Sequence, residues 1–449
     1  MTRKRPWVPM AFNAKPAHRR RRDGAAVRGV VRSVVLAALV VMAPRLAEAQ
    51  QSALRGRLEI DTKIEITFDR LANRDLDDAT ADALSQLVPE LSTKIGYRAS
   101  DRLRGFMELE AQASRTVSRG RDRSPQRDET ELNLKQVYLD VDLIADRLSL
   151  RIGRQEFKDR REWLYDEELD GLRAFYRHAA LSFELSATRQ RLFVENLLGG
   201  DSANERIDRY MLHASYQPTR EQRVGGYVLV RDAGAGTEEP GKSILFGLSA
   251  HGAAASALDY WLELAALRGR DGVNRLHGHG LDIGATYRFD LRFAPSLTLA
   301  HAFGSGDPNA DDTVDRAFRQ TGLQDNSYRF NGVENFQLYG QTLDPELSNL
   351  AVWTVGFGVR PSPRSSVDVI YHHYRQAEAS RGRLRGARIR ARAEGEHRDV
   401  GEAIDLILAY HEIPGLRLRA RLGHFKPGRA FGKAADDAWS VELGIEYRF

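Results

Sequence analysis

Three arginines, Arg417, Arg419 and Arg421, alternate with Leu416, Leu418, Ala420 and Leu422 near the carboxyl end of this chain. Successive side chains of a strand point to opposite faces, so the three guanidinium groups share one face about 6.5–7 Å apart, twice the rise per residue. That spacing suits a polymer with a carboxylate on each sugar. Arginine grips a carboxylate with two hydrogen bonds and stays charged at any relevant pH. Arg102 and Arg104, Arg147 and Arg151, and Arg173 supply further rungs of the same kind. A second use is equally open to them, as bridges to the neighbouring acids Glu108, Glu110, Glu442 or Glu446. Other constellations weigh less. His372-His373 has no matched acid and nucleophile in sequence, which argues against an enzyme. Asp307, Asn309, Asp311 and Asp312 approach calcium-loop spacing but lack the closing glutamate, so neither a metal nor another cofactor is expected.

The elements that would position these residues are strands. In Arg57 to Phe68, Leu58, Ile60, Ile64, Ile66 and Phe68 fall on one face together with Thr62, and Arg57, Glu59, Asp61, Lys63, Glu65 and Thr67 fall on the other. One wall is apolar and one is charged. The alternation recurs in Arg102 to Gln112, Arg147 to Ile152, Ala180 to Gln190, Leu281 to Phe289, Leu416 to Gly423 and Trp439 to Phe449. It slips phase in Glu131 to Asp142 and Val367 to Tyr374, where bulges are expected.

Basic residues from Arg19 to Arg32, the apolar stretch Ser33 to Ala43 and the small-residue site Ala47-Glu48-Ala49 read as an export leader over residues 1–49, with the mature domain at 50–449. Residues 1–49 hold 11 of the 67 bases and 2 of the 62 acids, so the remainder carries 56 against 60 and is formally −4. The overall charge of +5 thus resides in the leader and gives no reason to expect nucleic acid as a partner. With no cysteine in the chain, an exported protein must draw stability from something other than disulfides.

Many of the alternating segments reach the ~9–11 residues that a tilted strand needs to cross a bilayer. Short turns such as Arg98 to Asp101, Gln217 to Gln222 and Ile413 to Gly415 alternate with long polar loops, and pairing them gives about 18 strands. The fold class expected is all-β, a transmembrane antiparallel barrel of the outer-membrane type, in contact with outer-membrane lipid. Such a barrel encloses an aqueous channel lined by its polar wall. Trp439, Val441, Leu443, Ile445, Tyr447 and Phe449 end the chain in an unbroken outward face. Tyr447 and Phe449 resemble the terminal signal read by the barrel assembly machinery.

Two blocks carry a more specific resemblance. Leu150-Arg151-Ile152-Gly153-Arg154-Gln155, Trp163-Leu164-Tyr165-Asp166 and Leu169-Asp170-Gly171-Leu172-Arg173 form the first. Phe303-Gly304-Ser305-Gly306-Asp307, the run from Phe318 to Asn326 and the run from Leu343 to Leu350 form the second. Both resemble blocks of the alginate export family. The resemblance implies a monomeric barrel of 18 strands whose electropositive constriction selects a polyuronate, with long loops acting as plugs and a periplasmic export scaffold as a further partner. Carried over by position, Arg154, Arg319, Arg417, Arg419 and Arg421 are the constriction candidates, followed by Lys135 and Arg329. Asp166 and Asp170 stand beside the first motif as residues that orient its arginines. Export of an anionic polysaccharide and uptake of small anions use the same wall and remain alternatives, as does the side of the membrane on which the basic run Arg375 to Val400 lies.

Deletion of Phe449 is expected to impair insertion into the outer membrane with little effect on folding in detergent. Normal outer-membrane levels of the variant, read by fractionation, would remove the residue from any assembly signal.

Overall fold

The computed structural model describes residues 57–119, 128–190, 192, 194–199, 206–234, 237 and 240–449, and the expected leader at 1–49 lies outside them. Among the described residues eighteen long strands form one wall. In chain order they are β1 (Leu58–Ala72), β2 (Leu84–Arg98), β3 (Leu103–Arg119), β4 (Glu129–Ile144), β5 (Leu148–Lys158), β6 (Asp166–His178), β7 (Leu181–Arg189), β8 (Ile207–Tyr216) and β9 (Gln222–Ala233). The rest are β10 (Gly241–Ala255), β11 (Leu258–Asp271), β12 (Asn274–Arg288), β13 (Ser296–Gly304), β14 (Leu350–Ser362), β15 (Ser365–Gln376), β16 (Asp399–Tyr410), β17 (Leu416–Pro427) and β18 (Ala438–Arg448). Each pairs antiparallel with the next. β18 returns to β1, from Lys63 opposite Arg448 to Ala72 opposite Trp439, which leaves the sheet no free edge.

Strand lengths run from 9 to 17 residues, enough to cross a bilayer with tilt. Outward residues form an exposed apolar belt, as Leu181, Phe183 and Leu185 do on β7 and Leu443, Ile445 and Tyr447 on β18. Phe449 extends that belt, and its backbone N–H donates to the Thr62 carbonyl at 3.0 Å.

The slip expected in Glu131 to Asp142 is a bulge. Lys135 is the extra residue there, where Glu108 and Leu109 face Gln136 and Leu134. Val367 to Tyr374 itself alternates regularly in β15, and the irregularity on its β16 side comes at its end, between Tyr374 and Arg375. Its sequence looks irregular because Ile370 and Tyr374 on the inner face are as apolar as Val369 and Tyr371 outside.

All connections of two to seven residues between 99 and 415 that join β2–β3, β4–β5 and so on lie at one end of the barrel, with both ends of the wall. The other end carries the longer connections, including 305–349 and 377–398. Phe336–Gln337 pairs with Ser327–Tyr328 within 305–349 and adds no wall strand, so the run Arg375 to Val400 belongs to the long-loop end.

One hairpin leaves the wall. Pairing of β4 to β5 stops at Val137 opposite Arg154, and pairing of β6 to β7 stops at Asp170 opposite Arg189. The β5–β6 ladder nevertheless continues to Lys158 opposite Asp166. The freed edge of β4 is taken up from outside by Glu195 and Leu197, through Leu134 N–H to the Glu195 carbonyl (3.0 Å) and Leu197 N–H to the Leu132 carbonyl (2.8 Å). Gly153 and Gly171 face each other at the departure point. A Cβ on Gly153, which sits at φ +130°, would lie 2.2 Å from the Val137 carbonyl oxygen, and one on Gly171 would lie 2.3 Å from that of Ala187.

Valine at either glycine is expected to destabilise the barrel by at least the ~1–3 kcal/mol typical of overpacking, since the clash is with backbone. The check is the urea midpoint of the heat-sensitive folded band on a gel. An unchanged midpoint in both variants would show that the hairpin does not need this close approach.

Candidate functional site

The departing hairpin and the 305–349 segment meet inside the barrel. Trp163 at the hairpin tip stacks on Phe318, with centroids 6.1 Å apart. Gln320 Nε2 donates to the Trp163 carbonyl at 2.9 Å, Thr321 Oγ1 donates to that of Leu164, and Asp166 N–H donates to that of Leu323 at 2.6 Å. Phe157, Trp163, Leu169, Phe318, Leu343 and Leu347 are wholly buried in one cluster with Met211, Leu229, Leu245, Leu267, Val352, Ile370 and Ile407 from the inner faces of β8 to β16. Full burial of each such side chain contributes about 1.5–3 kcal/mol. These strands are therefore apolar on both faces, one toward lipid and one toward the inserted segments.

Polar anchors fix the register of this packing. Asp282, buried on β12, accepts from Trp261 Nε1 (2.7 Å), Tyr339 Oη (3.0 Å) and Arg161 Nη2 (3.5 Å), and the Arg161 guanidinium lies 4.0 Å over the Trp261 ring. The hairpin tip is shaped by Asp159, whose carboxylate accepts the backbone N–H groups of Arg161, Trp163, Leu164 and Tyr165 at 2.8–3.3 Å. Burial pushes the Asp159 carboxyl above its ordinary range, and the four donors offset only part of that. The 305–349 segment spans the height of the barrel. Asn331 Nδ2 donates to the Ala294 carbonyl (3.2 Å) and Val333 N–H to Ser366 Oγ (3.0 Å), both at the short-turn end. It then returns past Gln341, whose N–H donates to Asp405 (3.0 Å), and Thr342, hydrogen-bonded to Ser440 at 2.8 Å.

The opposite arc, β17, β18 and β1 to β7, keeps a charged inner face. Arg417, Arg419 and Arg421 do point inward, each onto acids. Arg417 reaches Glu446 (3.5 Å), Arg419 reaches Glu442 (3.2 Å) and Glu65, and Arg421 reaches Glu442 and Glu334 (2.8 Å each). Glu334 belongs to the 305–349 segment, so the ladder also anchors that segment. Arg104 pairs with Asp142 (3.3 Å), Lys135 with Glu168 (2.9 Å), and Arg151 with Asp140 through two hydrogen bonds while lying 4.0 Å over Tyr138. Arg173 pairs with Glu184 (2.8 Å) and covers Phe157.

Other candidates sit elsewhere. Arg102 is in the exposed turn before β3, one residue short of the strand. Arg154 and Asp170 are 3% and 1% exposed, 3.9 Å apart at the point where the hairpin departs, with Glu195 3.5 Å from Arg154. They lie within the wall and not on open lumen, because the outer segment at 194–198 closes over the gap that the hairpin leaves. Asp166 accepts from Lys158 (2.9 Å). Arg319 is tied to Asp271 (2.7 Å) and Asp315 (2.5 Å) near the long-loop end, and Arg329 is exposed near the short-turn end beside Asn335. Arg316 takes the cation's place among the calcium-like residues, 3.6 Å from Asp307 and 2.9 Å from Asp312. His372 does meet a hydroxyl and an acid, Thr354 (2.9 Å) and Asp405 (3.4 Å), neither visible by spacing. The histidine and the aspartate are fully buried beneath the 305–349 segment.

Sequence reasoning missed Arg161, Asp282 and Glu334. A lone acid in the apolar run Leu281 to Phe289 was the available signal for Asp282; nothing in sequence pairs Glu334 with arginines some 85 residues downstream.

A family model described as alginate export matches residues 57–442. The chain belongs to the alginate export family. A stretch of 176 residues is 24% identical to the alginate production protein AlgE of Pseudomonas aeruginosa, covering 36% of this chain and 35% of that protein. The barrel is also similar to OccAB3 of Acinetobacter baumannii, with TM-score 0.58 at 10% identity over 87% of this chain and 99% of that one. OccK11 (OpdR) of Pseudomonas aeruginosa gives TM-score 0.54 at 15% identity over 87% and 96%. Family and fold make this an outer-membrane pore of a Gram-negative cell, and the two blocks that resemble the alginate export family are the two inserted segments.

Replacing Asp159 by alanine leaves four backbone donors without their acceptor, and a loss of about 2–4 kcal/mol is expected. The unfolding midpoint measures it. A change below about 0.5 kcal/mol would mean that the tip is shaped by packing alone.

Proposed function

We propose that this pore passively exports an anionic polysaccharide of the polyuronate class along the charged arc, and that the 305–349 segment is its plug. The observation that carries the proposal is the place of Glu334. A carboxylate from the plug sits on Arg421 and faces Arg419, where a carboxylate of the polymer would bind. A uronate arriving at the ladder competes with Glu334 for the same guanidinium forks, and the plug loses its hold as the polymer gains one.

The resident acids set how tightly the polymer is held. An unopposed row of arginines in a confined space would bind a polyanion too strongly to release it, because each contact at ~4 Å is worth several kcal/mol at the lower effective dielectric of a protein site. Glu442, Glu446 and Glu65 share the same arginines and turn binding into exchange. Conduction requires binding that is weak and multiple. Arg417, whose side chain is 52% exposed, is the rung most open to substrate. The energy for export comes from polymer synthesis and not from this chain, and no cofactor takes part.

Single-channel recording tests this. Uronate oligomers should block the wild-type pore in a graded manner that rises with length. Glu334→Gln should raise the open fraction several-fold, and Arg417→Glu should insert normally, shift the reversal potential toward cations and weaken block. Equal block by monomeric anions and oligomers, with no effect of Glu334→Gln, would identify a general anion porin instead.

A further inference from the structure

The lipid-facing side of the wall carries a groove of about 870 Å³ across β8 to β13, lined almost wholly by apolar atoms. Small outward residues, Ala214, Gly226 and Ala266, make its floor. Gly226 stands between Ala214 and Leu248 in one row across the strands, and Ala266 stands between Phe246 and His279 in the next. Phe246 and Leu248 are exposed beside these gaps, and Phe303 closes the β13 side with its ring centroid 5.7 Å from that of His279. Hydrocarbon of any kind could fill such a furrow, so its shape alone names no occupant.

The edge of the groove toward the long-loop end is basic. Arg268 follows Ala266 on the outward face of β11 and stands directly opposite His277 of β12, with His279 one outward position further along that strand. Arg268 Nη1 donates to the carbonyls of Leu267 (2.8 Å) and Gly278 (3.2 Å), which fixes the guanidinium beside His277. Its Nε and Nη2, the side of the fork that grips an oxyanion, are left over. Among the described residues neither Arg268, His277 nor His279 has a carboxylate partner. Basic groups opposed across a ladder repel when both are charged, and an anion held between them reverses the sign. Long connections of outer-membrane barrels face the cell exterior, so this edge lies at the headgroups of the outer leaflet.

We propose that the outer face of β8 to β13 holds one lipid with a phosphate headgroup, its phosphate on Arg268 and His277 and an acyl chain in the groove below them. Charge complementarity selects the head, and the apolar furrow that begins at Ala266 receives the chain. A guanidinium already fixed by two carbonyls loses little freedom on binding, and phosphate offers oxygens to its fork and to the imidazole together. The site does not depend on what the pore conducts.

Native mass spectrometry of the full barrel in detergent tests this, with dioleoyl phosphatidic acid, dioleoylglycerol and inorganic phosphate as separate additions. One phosphatidic acid per barrel should bind at least ten-fold more tightly than dioleoylglycerol. Arg268→Gln should abolish that preference, and Ala266→Phe, which fills the groove and leaves the cations in place, should weaken binding several-fold. Both side chains face lipid, so the heat-sensitive folded band should be unchanged in either variant. Equal binding of the two lipids, or equal binding of phosphatidic acid to wild type and folded Arg268→Gln, would reduce the contact to ordinary solvation by lipid and overturn the site. Full binding in Ala266→Phe would overturn the seat of the chain, and displacement of phosphatidic acid by equimolar inorganic phosphate would give the cations to a free anion and overturn the lipid.

Discussion

Hydrocarbon offers no partner to an exposed backbone N–H or carbonyl, and the rest of this structure follows from that constraint. A sheet meets it only by closing, as β18 does on β1. Eighteen strands then enclose more space than wall side chains can fill. Two segments of the chain enter that space, and their own backbone groups must be satisfied there in turn. The hairpin does so through its private ladder, Asp159 and the Gln320 amide, and the 305–349 segment through Gln320 Oε1, Asp405 and Ser366. The inside of the barrel is consequently built like a small protein core over one arc and like an ionic wall over the other.

That division explains what the sequence disclosed. Strands of the charged arc alternate plainly, so β1, β17 and β18 were readable to within a few residues, as were the barrel class and the strand number. Strands under the plug carry Ile370, Tyr374 or Val352 inward and Val369 or Trp353 outward, and their alternation is blurred for a packing reason. The motif arginines were harder to place. Arg154 and Arg319 stand in loop-like motifs where only tertiary docking decides whether a side chain meets lumen, wall or plug. Sequence showed which groups were charged, and it did not show that nearly every ladder arginine already holds an acid.

Pairing changes the electrostatic picture of the passage. The inner arc is an alternating lattice of guanidinium and carboxylate groups, and a lattice of that kind supports stepwise exchange better than capture. It also anchors the 305–349 segment, because Glu334 takes part in the lattice, and the proposal has a polymer carboxylate do the same. In the proposed function, wall, plug and ladder are three parts of one mechanism, joined through Arg419 and Arg421.

The central claim is that polymer passes only when the 305–349 segment has moved. The absence of cysteine from the chain makes a direct measurement possible. Thr342 on the plug and Ser440 on β18 have their hydroxyl oxygens 2.8 Å apart, close enough for replacement by a cysteine pair. Polyuronate flux through proteoliposomes carrying Thr342→Cys with Ser440→Cys is predicted to stop on oxidation and return on reduction. Equal flux in the oxidised and reduced protein would contradict the account.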